Sequence, residues 1–322
     1  MRCSAGSKTP FGTWPISLPV NYSYMDSQQT KSHRSGYVGI IGRPNAGKST
    51  LFNRLLGQKL SIITPKAQTT RHRIQGFYSD DDSQIVFLDT PGIIQPSYLL
   101  QERMMDQVHR LRADADLLLH IVDGGHMPVS DDVVFETLRE LALPVMLVVN
   151  KIDMLASDRI PVVSKSWDDH YDYIDRLAIS ALDGTAVDHL VDLVKARMPE
   201  GPPFYPKDDA SDLPMRFFVS ELIREQLFML YQQEIPYSCA VNIVNYSEEP
   251  DINRIHAEIV VNRTSQKGIL IGKKGSQMKE LGIRSRKSIE EFTGKKAYLE
   301  LFVKVREKWR ENENFLKSYG YR

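Results

Sequence analysis

Gly42-Arg43-Pro44-Asn45-Ala46-Gly47-Lys48-Ser49 follows the apolar run Tyr37–Ile41 and opens a helical pattern over Lys48–Leu56. The spacing is that of the G-x4-G-K-[ST] phosphate loop, in the strand-then-helix context the motif requires. Glycines let backbone N–H groups converge on phosphate oxygens, and the helix N-terminus adds partial positive charge. Gly42, Asn45, Ala46, Gly47 and Thr50 are the expected nucleotide contacts around it. Lys48 can reach the β- and γ-phosphates, and the Ser49 hydroxyl can ligate Mg²⁺.

The β-α alternation continues downstream. Ile85–Leu88, Leu117–Val122 and Val145–Val149 read as strands, the last two as continuous apolar runs covered on both faces. Helical patterns over Asp131–Leu141 and Asp188–Met198 fall between and after them. This predicts an α/β P-loop domain with an open, mostly parallel sheet and its ligand at the C-terminal strand edges.

The base is read from Asn150-Lys151-Ile152-Asp153, at the end of strand Val145–Val149. A carboxylate only accepts, so Asp153 suits the N1–H and exocyclic amine of guanine, and adenine lacks that donor pair. Asn150 contacts the base or ties loops together, and the Lys151 stem covers the ring face. Ser180-Ala181-Leu182, after the short strand Leu177–Ile179, offers backbone N–H groups to the guanine oxygen.

Asp89-Thr90-Pro91-Gly92 follows the strand Ile85–Leu88. Asp89 can hold Mg²⁺ through water, and the Gly92 N–H can sense the γ-phosphate. Either Thr69 or Thr70, in the polar loop Gln68–Arg71, completes the Mg²⁺ shell, and Thr70 is the preferred choice. Ile93 stands where many switch GTPases place a water-orienting glutamine, which predicts slow intrinsic hydrolysis and makes Ile93→Ala a test of its part in chemistry. Lys48, Asp89 and Gly92 are thus the expected catalytic set, and Ser49, Thr70 and Asp89 the expected metal set. Among histidines, His72 reads as a solvated loop residue, and His109, His120 and His256 as structural.

The C-terminal third has a different character. From His256 to Arg322 there are 16 Lys/Arg against 8 Asp/Glu, although the whole chain is neutral, with 41 of each. That excess points to an anionic partner. Within it, Gly272-Lys273-Lys274-Gly275 is a G-x-x-G loop, the clamp with which a KH module holds single-stranded nucleic acid. Arg284, Arg286 and Lys287 add charge if they share its face. A helix near Phe217–Gln232, strands near Ser238–Tyr246 and Arg254–Asn262, a Gly-Lys-rich turn, a helix near Ser276–Phe292, a strand Ala297–Val305 and a helical tail complete an α+β module. Leu299, Leu301, Val303 and Val305 should form its buried face.

At 322 residues, 42% apolar and 25% charged, the chain suits two soluble domains and excludes collagen-like, disulfide-stapled and wholly disordered classes. Its longest apolar runs are far short of the roughly 18 residues that span a bilayer. Cys3 and Cys239 have no metal-ligand spacing, which fits a reducing compartment. The expected organisation is a flexible leader over 1–35, a GTPase domain over 36–200, a Pro-rich linker over 201–215 and a KH-type domain over 216–322. Met25 offers a second start, and Arg2 is the only arginine before Arg34, which disfavours organellar import through the leader.

The string Gly42–Thr50, the segment Lys66-Ala67-Gln68-Thr69-Thr70-Arg71-His72-Arg73, Asp89–Gly92 and the KH-like loop together resemble the Era family of bacterial GTPases, from Gly36 to Arg322. The Lys66–Arg73 string is more specific than the shared nucleotide motifs. The resemblance implies binding of the 3′ end of small-subunit (16S) ribosomal RNA and the 30S precursor, and a part in 30S maturation. It also implies a cytoplasmic monomer, with peripheral association at the cytoplasmic face of the inner membrane. In related potassium-stimulated GTPases an asparagine matching Asn45 ligates a monovalent cation, so K⁺ near Asn45 is expected beside GTP or GDP and Mg²⁺, and sodium in its place should slow turnover. A hydrophobic residue at Ile93 is typical of this group. An alternative reading is a switch acting mainly on a protein or membrane, with RNA incidental. The absence of a strong amphipathic basic anchor counts against a primarily membrane role.

Overall fold

Strand β1 (Arg34–Ile41) runs straight into the phosphate loop, and helix α1 (Lys48–Leu56) leaves it. This is seen in a computed structural model that describes residues 32–130 and 132–321. Most of the expected leader, with Met25 and Cys3, lies outside the described residues. β1 begins inside the stretch assigned to that leader, where Ser35 N donates to Pro199 O at 3.0 Å and Gly201 N to His33 O at 2.9 Å.

The first layer continues as β2 (Ile74–Ser79), β3 (Ser83–Asp89), α2 (Leu99–His109), α3 (Leu111–Asp114), β4 (Leu117–Asp123), α4 (Val133–Leu141), β5 (Val145–Asn150), α5 (Arg159–Ser166), β6 (Asp175–Ala178) and α6 (Val187–Lys195). Six strands form one sheet in the order β2-β3-β1-β4-β5-β6, with β2 antiparallel to β3 and the other pairs parallel. β3, β4 and β5 are almost wholly buried, as continuous apolar runs require. Helix α4 starts at Val133; Asp132 caps it by accepting from Val134 N at 3.0 Å. β2 has no counterpart in the sequence reading, because Gly76 and polar Gln75 and Ser79 interrupt its alternation.

The proline-rich stretch is a strap rather than a free tether. Gln84 accepts from Phe204 N at 2.6 Å and Tyr205 N at 2.9 Å, and Tyr205 stacks on Phe77 with ring centroids 3.9 Å apart. Phe77 N donates to Ala210 O, and Ser211 Oγ to Gln75 O. Edge strand β2 is thereby covered, which removes its unpaired backbone groups from solvent.

The second layer is α7 (Met215–Leu230), α8 (Ile235–Ser238), β7 (Ala240–Glu248), β8 (Ile252–Val261), α9 (Thr264–Ile271), α10 (Ser276–Thr293), β9 (Lys296–Val305) and α11 (Glu313–Ser318). Its three strands run β7-β8-β9, with β8 antiparallel to β7 and parallel to β9. Leu299, Leu301 and Val303 face the helices, while Tyr298 and Phe302 stand on the open face. The expected Gly-Lys-rich turn is present at Gly272–Gly275, but helix α9 before it has no counterpart in the sequence reading. Gly268 lowers its intrinsic propensity, and Gln266 offsets this by accepting from Asn262 N and Arg263 N at its start.

Candidate nucleotide and nucleic-acid sites

The C-terminal edges of β1, β3 and β5 bring the phosphate loop, Asp89 and Asn150 to one end of the sheet. A cleft of about 460 Å³ opens there, lined by Lys48, Ser49, Thr50, Thr70, Gly92 and Lys151 among others. Gly47 has φ 98°, and a Cβ on it would stand 2.2 Å from Asn150 Nδ2, so only glycine fits this corner of the loop. Lys48 is buried and donates to Gly42 O at 3.1 Å and Arg43 O at 2.8 Å. Burial pushes its ammonium down to about 8, with Asp89 opposing the shift.

Ser49 Oγ donates to Asp89 Oδ2 at 2.7 Å, and Thr70 Oγ1 lies 2.8 Å from Ser49 Oγ. The three expected metal residues therefore meet. Thr69 turns away, donating to Lys66 O at 2.6 Å and meeting Thr64 Oγ1 at 2.6 Å. Asp89 is fully buried, and its Oδ1 has no hydrogen-bond partner. Burial raises its pKa, against the hydroxyl donors that favour the charged form. An orphaned carboxylate oxygen beside two converging hydroxyls fits a hard divalent cation with retained waters.

In the base region Asn150 ties loops together. Its Nδ2 donates to Ala46 O, and its Oδ1 accepts from Ala181 N, both at 2.9 Å. Lys151 anchors its ammonium 2.7 Å from Asp123 Oδ2. Exposed Asp153 accepts from Ser180 Oγ at 2.6 Å, which fixes the carboxylate and leaves acceptor capacity outward. Of the loop's backbone donors, Ser180 N already serves Thr185 O and Ala181 N serves Asn150. Arg54 of α1 holds the carbonyls of Ala181 and Leu182. Asn45, at φ 64°, donates to Pro65 O at 3.3 Å and so joins the phosphate loop to the loop bearing Thr70.

Two expectations are corrected. Ile93 does not face the cleft: it is 2% exposed and packs in the core with Val86, Leu88 and Leu118. Ile93→Ala therefore reports lost packing, and a rate loss would not show a part in chemistry. His72 is no solvated loop residue either. Its ring stacks on Tyr321 with centroids 4.4 Å apart and meets Phe217 edge-on, and burial pushes its imidazole down to about 4. His120 is structural, buried with Nδ1 2.8 Å from the Tyr173 hydroxyl.

The Lys66–Arg73 string has a physical role that motif reading missed. Arg71 is 1% exposed and donates to Cys239 O at 2.7 Å and Pro236 O at 3.0 Å. Lys66 donates to the carbonyls of Phe228 and Tyr231 at the C-terminus of α7, where a cation opposes the helix dipole. Lys59 and Ile63 N both bond the Glu225 carboxylate. Adjacent residues Thr70 and Arg71 thus hold opposite partners, the phosphate-loop serine and the C-terminal module. A signal existed in the clustering of Lys66, Arg71, His72 and Arg73, but the partners of Lys66 and Arg71 lie more than 150 residues away.

The G-x-x-G loop sits between α9 and α10, with Lys273 and Lys274 exposed and without an ion-pair partner among the described residues. Gly272 has φ 70° and ψ 178°, a conformation open essentially to glycine alone, and a Cβ there would meet Gln277 Cγ at 2.5 Å. Gly275 caps α10 at φ 78° with open space around it. Arg284 and Lys287 pair with Glu280 and Glu291 along α10, so they add less net charge than their number suggests.

Comparison with known proteins agrees with this arrangement. The family model described as 50S ribosome-binding GTPase matches residues 37–151, and the KH domain model matches 234–310. The fold is similar to the crystal structure of a point variant of Aquifex aeolicus Era bound to GDP and aluminium fluoride (38% identity, 89% of this chain and 99% of that one, TM-score 0.85). It is equally similar to Era in complex with MgGDPNP and nucleotides 1506–1542 of 16S ribosomal RNA (39% identity, 90% and 99%, TM-score 0.85). Sheet, phosphate loop and three-stranded module together define a P-loop GTPase with a C-terminal KH domain. With that identity along nearly its whole length, the chain belongs to the Era family of GTPases.

Proposed function

We propose that the chain is a GTP-hydrolysing switch that binds the 3′ end of small-subunit ribosomal RNA through its KH domain and assists 30S maturation. The observation that carries the reading is the shared segment: Thr70 joins Ser49 and Asp89, and the next residue, Arg71, is bolted to the KH side. The likeness to Era in complex with a 16S fragment supports the partner. The start of α2, downstream of Gly92, touches the same side, since Arg310 lies over the Tyr98 ring at 4.7 Å and Arg103 pairs with Glu313 at 2.7 Å.

In this reading residues 36–200 form the GTPase domain, 201–215 the strap and 216–322 the KH domain. Asp153 reads guanine, Asn150 and Lys151 frame it, Lys48 and the loop N–H groups hold the phosphates, and Gly92 senses the γ-phosphate. Ser49, Thr70 and Asp89 would hold Mg²⁺, which when bound offsets phosphate charge. GTP orders the loops around Thr70 and Gly92, biases the KH module toward RNA, and hydrolysis releases that bias. The likeness to potassium-stimulated GTPases supports K⁺ bound by Asn45, and the exchange of potassium for sodium tests it: equal turnover removes that ion. Resemblance to the family supports a cytoplasmic monomer with peripheral contact to the inner membrane. Among the described residues no helix is long and apolar enough to cross a membrane.

The test is a titration of the full chain with a 3′-terminal small-subunit RNA fragment, loaded with GDP or with a non-hydrolysable GTP analogue. The expected result is tighter binding with the analogue by about 10-fold, within the usual range of coupling energies. Equal affinities would remove the switch from the account.

A further inference from the structure

Ser61 belongs to no sequence motif, yet it is completely buried and its hydroxyl donates to Asp89 Oδ2 at 2.8 Å. It is held from α1 and not by the segment that carries Thr70. Asn53 Oδ1 accepts from Leu60 N at 3.0 Å and from Ser61 N at 2.8 Å, while Asn53 Nδ2 donates to Ser61 O at 2.7 Å. Three hydrogen bonds from one amide to two consecutive residues fix the backbone at this point.

Asp89 Oδ2 thus has two donors, Ser49 and Ser61, and Oδ1 has none. The two donors are not equivalent. Ser49 is itself a metal ligand candidate, and so is Thr70, whose hydroxyl lies 2.8 Å from Ser49 Oγ. Ser61 is not a metal ligand candidate, and its backbone is anchored to Asn53 of α1. A carboxylate held at one oxygen by a fixed donor presents the other oxygen in one direction, as second-sphere partners do around metal ligands.

We propose that Ser61, pinned by Asn53, is a positioning residue that turns Asp89 Oδ1 toward the hydration shell of Mg²⁺ and so sets the Mg²⁺ dependence of nucleotide retention. The inference rests on the reading of this cleft as a Mg²⁺-nucleotide site. Asp89 would otherwise be free to rotate between Ser49 and the cleft, and part of the metal affinity would go into orienting it.

The experiment follows release of a fluorescent GDP from the full chain across a Mg²⁺ series and in EDTA. Ser61→Ala should raise the Mg²⁺ concentration for half-maximal retention by about 10-fold, the low end for loss of an outer-sphere partner. Its GDP affinity in EDTA should match that of the unmodified chain. An unshifted Mg²⁺ midpoint overturns the proposal. So does an equal loss of GDP binding with and without Mg²⁺, which would mark Ser61 as packing alone. Should the alanine variant fail to fold, Ser61→Cys keeps a weak donor in the same space; a midpoint shifted in the same direction supports the proposal, and none overturns it. Failure of the unmodified chain to retain GDP at any Mg²⁺ concentration would instead overturn the nucleotide reading beneath it.

Discussion

Asp153→Asn is expected to weaken GDP and GTP binding by about 10⁴-fold and to raise affinity for xanthosine nucleotides. The carboxylate offers acceptors only, matched to the two donors on the guanine edge. An amide keeps one acceptor for one of them and presents an NH₂ group to the guanine amine, so that amine loses its acceptor and faces another donor instead. A hydrogen bond to a charged group is worth about 1.5–3 kcal/mol; one is lost, the other loses its charge, and a donor–donor clash is added, which together reach the expected loss. Xanthine carries a carbonyl where guanine has the amine, and the amide can donate to it. Ser180 Oγ still has an oxygen to donate to, so the loop should keep its shape. Competition between fluorescent GDP and xanthosine diphosphate reads both effects, and GDP affinity unchanged within a few-fold would remove Asp153 from the base site.

Arg71→Ala is expected to lower the unfolding free energy by about 3 kcal/mol, because it strips the Pro236 and Cys239 carbonyls of their donors and leaves a cavity. Arg71→Met fills most of that space beside the Phe228 ring but restores no donor, so its loss should be smaller. Lys59→Ala makes a useful contrast. Its ammonium pairs with Glu225 at 2.6 Å and is 47% exposed, and the buried Glu225 carboxylate keeps the Ile63 N–H, so the loss should be smaller than that of Arg71→Ala, at about 1–2 kcal/mol. Urea midpoints order the three variants. Arg71→Ala should also flatten the difference in RNA affinity between GDP and the GTP analogue, with GDP affinity itself unchanged. An Arg71→Ala chain as stable and as nucleotide-responsive as the parent would break the link between the switch segment and the KH module.

What the sequence disclosed was local. Gly42–Ser49 and Asn150–Asp153 each carry their chemistry within a few residues at a strand end, and the apolar runs of β4 and β5 place those ends together. α1 and β9 were legible within a residue or so for the same reason. The losses were of two kinds. β2 and α9 contain glycine, at Gly76 and Gly268, where local propensity runs against the element and tertiary packing restores it. The contacts of Lys66, Arg71 and His72 with α7, α8 and Tyr321 span well over 100 residues, and no periodicity records them. Ser61 left one trace: a lone hydroxyl inside the apolar run Leu60–Ile62, which is where a buried polar group must find a partner. Ile93 was placed at its motif position correctly, but its side chain turns into the core.

The central claim, that a guanine-nucleotide switch acts on the 3′ end of small-subunit RNA through the G-x-x-G loop, is tested most directly by crosslinking in cells followed by sequencing of the attached RNA. Gly275→Asp is the variant to compare, since Gly272→Asp would strain the backbone and collide with Gln277, whereas Gly275 has open space and aspartate tolerates its left-handed conformation at a helix N-terminus. A sharp crosslink peak at the RNA 3′ end, lost with Gly275→Asp, is the predicted result. Diffuse crosslinks indifferent to that change would contradict the account and leave the basic module as a charged surface.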